Sequence, residues 1–200
     1  LSNGDDKPYE LNISWWSAME DSSRDAKRFQ YERFILSQLL VMALKGVPAF
    51  YLPALLASEN DIKSFSMTGQ RRDLNREKFK SENLLAVLNN PESNANKNLK
   101  YLRNAMDVRS KLKQFHPCSQ MECLSKGRSD IVVIKRGKGP ESVFAIYNMT
   151  DNKINYQLND DDIPKIIDND FNTHDFLTST KYNCKNISLD PFQVIWLSAL

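Results

Sequence analysis

The chain has 200 residues, enough for one domain or two modest ones with a real core. Lys and Arg total 27 against 25 Asp and Glu, which leaves no concentrated basic surface of the kind that nucleic-acid backbones require and argues against such a partner. The longest apolar stretch, residues 34–44, is broken by Ser37 and Gln38 and is too short to cross a bilayer.

A polar, turn-like start leads into residues 11–19, which read as a short strand and a turn. A helix is expected over 23–44, with Ser22 or Ser23 as N-cap and Asp25 in the first turn, where a carboxylate favours the helix dipole. Gly46 ends it, and Pro48 lies just beyond. The second half of this helix is apolar on most sides, so it is expected to sit between a sheet and its neighbours.

Val47, Ala49, Phe50, Tyr51 and Leu52, punctuated by Pro48 and Pro53, form a compact apolar run. A run this short between breakers suits a strand buried on both faces. The polar stretch up to Arg76 is too long for an ordinary connection, and long ordered loops are usually functional. Residues 82–88 read as a short helix ending at Asn89-Asn90-Pro91. Residues 96–115 form a clearer amphipathic helix, with Leu99, Leu102, Met106 and Leu112 near helical spacing. Pro117 closes it. From 118 onward the signals are β: residues 131–135, 143–148, 154–158 and 193–198 are short β-branched or aromatic runs between Gly, Asn and Asp turns. A small antiparallel sandwich follows from them.

Cys118, Cys123 and Cys184 make an odd count without a CxxC pair, which reads as free thiols in a reducing cytoplasm. His116 and His174 have no metal-binding spacing, so no metal site is expected. Asn12, Asn148 and Asn186 open N-x-Ser/Thr triplets, read here as chance in an Asn-rich chain.

Several segments carry a family resemblance. GVPAFY, then ASEND, then GQRRDLNRE resembles the last barrel strand and its loop in sucrose phosphorylases, members of the α-amylase superfamily (glycoside hydrolase family 13). KPYELNISWWSAM resembles the acceptor-side loop that precedes the seventh barrel helix. VRSKLKQFHP resembles the final barrel helix, and DFLTS with PFQVIWL the closing strands of the C-terminal β-domain. The resemblance implies an α+β chain: the C-terminal part of a (β/α)8 TIM barrel over 1–117, then a small antiparallel β-sandwich domain over 118–200. A complete barrel takes about 250 residues, so this chain is expected to be the C-terminal portion of a longer enzyme. The resemblance places the family's catalytic carboxylates upstream of Leu1, and no catalytic residue is assigned here.

The same resemblance nominates Arg76, in the D-x-N-R motif, to hydrogen-bond the glucosyl unit at the scissile bond. A guanidinium suits this task, being a planar fork of fixed donors that stays charged. Asp73 and Asn75 are expected to orient Arg76 or close the loop. Pro8, Tyr9 and Glu10 align with the loop bordering the acceptor or phosphate. Sucrose phosphorylases carry an Asp-Leu-Tyr-Gln type sequence there, whereas Lys7-Pro8-Tyr9-Glu10 stands here, and KPYELN resembles glucosylglycerate-type phosphorylases. Arg71 and Arg72 read first as solvent-facing charge and Asn60 and Asp61 as loop-bracing residues. Trp15, Trp16, Tyr147 and Trp196 read as core.

The implied function is that of a retaining α-glucosyl phosphorylase, passing glucose from an α-glucoside to inorganic phosphate without a metal or organic cofactor. A superfamily hydrolase and a non-catalytic carbohydrate-binding or scaffold domain stay open as rivals. The implied partners are carbohydrate, phosphate and the rest of the barrel, with no membrane; homodimerisation stays open. The chain by itself is expected to be inactive.

Overall fold

The computed structural model describes residues 10–21, 25, 27–159 and 172–198. The elements are α1 (Gln30–Ala43), α2 (Leu52–Leu55), α3 (Ile62–Thr68), α4 (Ser81–Asn89) and α5 (Asn94–Lys111). They are followed by β1 (Met121–Cys123), β2 (Ile131–Arg136), β3 (Val143–Asn148), β4 (Ile154–Tyr156), β5 (Asn172–His174), β6 (Lys181–Asn183), β7 (Ile187–Leu189) and β8 (Val194–Ser198). The chain divides into two compact units, one of Leu1–Glu20 with Phe50–Asn98, the other of Asp21–Ala49 with Leu99–Leu200.

The second unit is built on an antiparallel sheet ordered β1-β2-β3-β8. Its register pairs Ile134 with Ala145 and Ala145 with Trp196. Because side chains alternate across a strand, β2, β3 and β8 each present two faces. Ile131, Val133, Phe144, Ile146, Ile195 and Leu197 form one face, and bury it in a cluster with Leu158, Cys184 and residues Ile187 and Leu189 of the β4–β7 pair. At about 25 cal/mol per Å2 of apolar surface, such burial is the main source of this unit's stability. The opposite face carries Arg136, Ala145, Tyr147 and Trp196, all buried. Tyr147 donates to the Leu39 carbonyl of α1 at 3.0 Å, and Trp196 packs on Phe115 with ring centroids 4.7 Å apart. Burial drives the Tyr147 phenol above its ordinary range.

Helix α1 ends against two arginines. Its last carbonyls have no intrahelical donor. The buried Arg136 donates to Ala43 O at 2.7 Å and Leu44 O at 2.8 Å, and also to His116 O at 2.9 Å. Arg109 donates to Met42 O at 2.9 Å and Gly46 O at 3.2 Å. Both guanidiniums lie over the Phe115 ring, 5.5 Å and 5.8 Å from its centroid. Burial, and for Arg136 the neighbouring Arg109 charge, hold both pKa values below the ordinary guanidinium range. The negative end of the helix dipole offsets part of that penalty.

Asn148, at the end of β3, is fully buried. Its amide donates to Asn152 O at 2.7 Å and Asp190 O at 2.8 Å, and its carbonyl accepts from Thr150 N at 2.9 Å. Among the cysteines, Cys118 and Cys123 are exposed and Cys184 is buried. No helix among the described residues is long and apolar enough to cross a membrane.

Several expectations need correction. Helix α1 starts at Gln30, because Phe29 sits in the left-handed region with φ 57° and turns the chain there. The proposed caps Ser22 and Ser23 lie outside the described residues. Residues 11–19 hold a 3-10 turn, Ser17–Met19, rather than a strand. Residues 47–51 are not paired in a sheet, and Val47 and Tyr51 are 80% and 59% exposed. An extended run needs neighbouring edges to become a buried strand, and no described residue pairs with this one.

Replacing Arg136 by Met strands the carbonyls of Ala43, Leu44 and His116. We expect R136M to lower unfolding stability by about 3 kcal/mol, read as a drop in urea midpoint at unchanged slope.

Candidate functional site

The first unit contains the segment singled out by the sequence. Pro53 fits the first turn of α2, where its missing N–H is no loss. The buried Asn98 holds the end of this short helix, its amide donating to Leu55 O at 2.9 Å. The stretch after Pro53 up to Arg76, expected as one long polar loop, folds locally into the end of α2, α3 and a 3-10 turn, Arg71–Asn75. Asp61 caps α3 by accepting from Ser64 N at 2.9 Å; the Ser64 hydroxyl, and after it that N–H, hold its carboxyl below its ordinary pKa. Gly69 ends α3 in the left-handed conformation, φ 67°, with its N–H on Phe65 O at 2.8 Å. Asp61 three residues before Ser64, with Gly69 after the last turn, is the helix signal that the sequence carries here.

The 3-10 turn is fastened to α3 and its cap through two adjacent residues. Leu74 O accepts from Asp61 N at 2.8 Å, and Asp73 Oδ2 accepts from the Thr68 hydroxyl at 2.5 Å. Asp73 therefore braces the loop against α3. Asn75 is half-buried, and its Oδ1 is buried without a hydrogen-bond partner among the described residues. Arg76 follows directly and is exposed.

Asn60 ties the loop to residues 14–17. Its Oδ1 accepts from Ser14 N at 2.7 Å, and its N–H donates to the Ser17 hydroxyl at 3.1 Å. The bracing expected of Asn60 and Asp61 is thus observed. Trp16 is buried, and Trp15 stacks on Phe50 with centroids 6.4 Å apart at 16°.

Glu10 meets the Arg-rich turn. Arg72 Nε donates to one of its carboxylate oxygens at 3.0 Å and Nη2 to the other at 3.4 Å. That pair, with the Arg76 charge contributing, holds the Glu10 carboxyl below its usual pKa. Arg72 is exposed as expected, yet it is partnered; Arg71 is exposed. Pro8 and Tyr9 lie outside the described residues. A shallow depression alongside is lined by Glu59, Asn60, Asp61, Lys63 and Glu77. The structure thus gathers Glu10, Arg72, Asp73, Asn75 and Arg76 around one short turn. Exposed guanidiniums beside an anchored carboxylate can engage hydroxyl and anionic groups of a ligand.

No family model matches the chain. The glucosylglycerate phosphorylase of Allomeiothermus silvanus is 32% identical over 145 residues, covering 72% of this chain and 26% of its own length. The sucrose phosphorylase of Streptococcus mutans is 23% identical over 155 residues, covering 77% of this chain and 29% of its own. Among solved structures, AmyP in complex with maltose superposes with a TM-score of 0.67 at 15% identity, over 85% of this chain and 35% of that one. An Anoxybacillus α-amylase gives 0.56 at 16% identity, over 90% and 36%. The chain thus spans about a quarter of the length of the curated relatives it matches. It is homologous to the glucosylglycerate and sucrose phosphorylases, sucrose phosphorylase-like proteins of the α-amylase superfamily.

Proposed function

We propose that the chain is the C-terminal part of a retaining α-glucosyl phosphorylase of the glucosylglycerate type. In this reading residues 1–117 close a (β/α)8 barrel and 118–200 form a β-sandwich domain. The observation that carries it is the 32% identity to a glucosylglycerate phosphorylase. The whole protein cleaves an α-glucoside by double displacement through a covalent glucosyl-enzyme, with its two carboxyl groups supplied from outside this chain. Phosphate then takes up the glucosyl group as glucose 1-phosphate. The Lys7-Pro8-Tyr9-Glu10 segment, where sucrose phosphorylases carry a different sequence, favours an anionic acceptor over fructose.

Arg76 donates to hydroxyls of the bound glucosyl unit. Asp73 holds the turn that presents it, and Asn75 helps to close that turn. Glu10, fixed by Arg72, borders the acceptor side together with Pro8 and Tyr9. The three cysteines without a CxxC pair fit a reducing cytoplasm.

The test is product analysis of the protein that carries this chain, with glucosylglycerate, sucrose or sucrose 6-phosphate, each with and without phosphate. Glucose 1-phosphate is expected from glucosylglycerate and none from the 200 residues by themselves. Free glucose unaffected by phosphate makes the protein a hydrolase instead. Arg76→Lys keeps the charge but loses the fork. It is expected to lower kcat/KM by about 10- to 100-fold, leaving thermal stability within about 0.5 kcal/mol, as for other exposed substitutions.

A further inference from the structure

The second unit holds an open groove of about 310 Å3 that the proposed reaction does not use. Tyr31 and Tyr101, on α1 and α5, and Phe192 line it as half-buried rings. Glu32, Thr178 and Asp190 line it as exposed polar groups. The lining combines aromatic rings with hydroxyl-binding groups.

Phe192 reaches this groove through an unfavourable backbone. It lies in the turn from Asp190 to Gln193, closed by Gln193 N on Asp190 O at 3.1 Å, with Pro191 before it. Its φ is 53°, a conformation glycine adopts freely and a bulky residue adopts only at a steric cost. The ring is held by Phe29, itself at φ 57°, with centroids 5.6 Å apart, and by the Arg33 guanidinium 5.5 Å from its centroid. Two phenylalanines thus keep left-handed backbones while their rings brace each other beside the opening.

We propose that this groove binds a neutral pyranoside, independently of the catalytic reading. The C–H face of a pyranose ring is apolar and lies flat on an aromatic ring, while its hydroxyls need acceptors such as the Glu32 and Asp190 carboxylates. The volume accommodates one or two sugar rings. A cationic ligand would also favour rings and carboxylates. Here the chain supplies its own cations: Arg33 lies over Phe192, and Lys153 pairs with Asp190 at 3.3 Å. A neutral polyol ring is left as the matching ligand.

The test uses the protein that carries this chain, labelled with 3-fluorotyrosine, with the Tyr31 and Tyr101 resonances assigned through Y31F and Y101F. Titration with methyl α-D-glucopyranoside is expected to shift both signals saturably. Phe192→Gly keeps the turn, because glycine favours its φ, and removes the ring; binding should weaken by about fivefold or more. Glu32→Gln, an exposed change outside the core, serves as a second variant and should also weaken binding. Absence of a saturable shift overturns the proposal, as does an equal shift in both variants. An equal response to glycerol, or a stronger one to tetramethylammonium, overturns the ligand class.

Discussion

A buried positive charge, hydrogen-bonded to backbone carbonyls rather than to a carboxylate among the described residues, fastens the end of α1 to the sheet. Arg136 reaches from the end of β2 to the adjacent carbonyls of Ala43 and Leu44 and to His116 O, acceptors from two segments distant in the sequence. Desolvating a guanidinium is unfavourable, and carbonyl dipoles compensate only when several converge in fixed directions. That requirement fixes α1, β2 and the turn after α5 together. Arg109 adds Met42 O and Gly46 O, and Gly46 N in turn donates to Pro117 O at 3.1 Å. The chain therefore leaves α1 at a point set by two cations and one aromatic ring. Apolar burial supplies the energy of this unit; the arginines supply its geometry.

In the first unit the ordering principle is different. Small local bonds convert a polar stretch into a rigid one: an N-cap at Asp61, a left-handed Gly69, and a hydroxyl on Asp73. These are short-range devices, each worth about 1 kcal/mol, and together they leave the Arg-rich turn few conformations. A site on such a segment can present exposed guanidiniums without a deep pocket, because side-chain freedom is already reduced at the backbone.

The β-region was readable from sequence because its runs alternate with turn residues, and Ile131–Arg136 and Val143–Asn148 follow that pattern closely. The helices α4 and α5 were readable from Pro91 and Pro117 and from helical spacing. Arg136 was not, since an arginine at the end of an apolar run reads as the first exposed residue, and its acceptors lie over 90 positions away in the case of Ala43. The run at 47–52 misled for a related reason. Apolar composition reports that a segment will be covered, not by what, and a strand exists only with a partner edge. Phe29 and Phe192 escaped too, because left-handed backbone is expected of Gly or Asn. At the candidate site, motif resemblance singled out Arg76, Asn75 and Asp73, while the grip of Arg72 on Glu10 depended on a contact 62 positions long.

The burial of Asn148 bears on how the protein can be produced. In a secretory pathway an oligosaccharide is attached to the nascent chain before folding, and Asn148-Met149-Thr150 satisfies the acceptor rule. A glycan there would displace the carbonyls of Asn152, Leu189 and Asp190 from the amide they share. Expression through the endoplasmic reticulum of a eukaryotic host therefore sets sugar attachment against formation of the β3 terminus, whereas synthesis in a bacterial cytosol avoids the conflict.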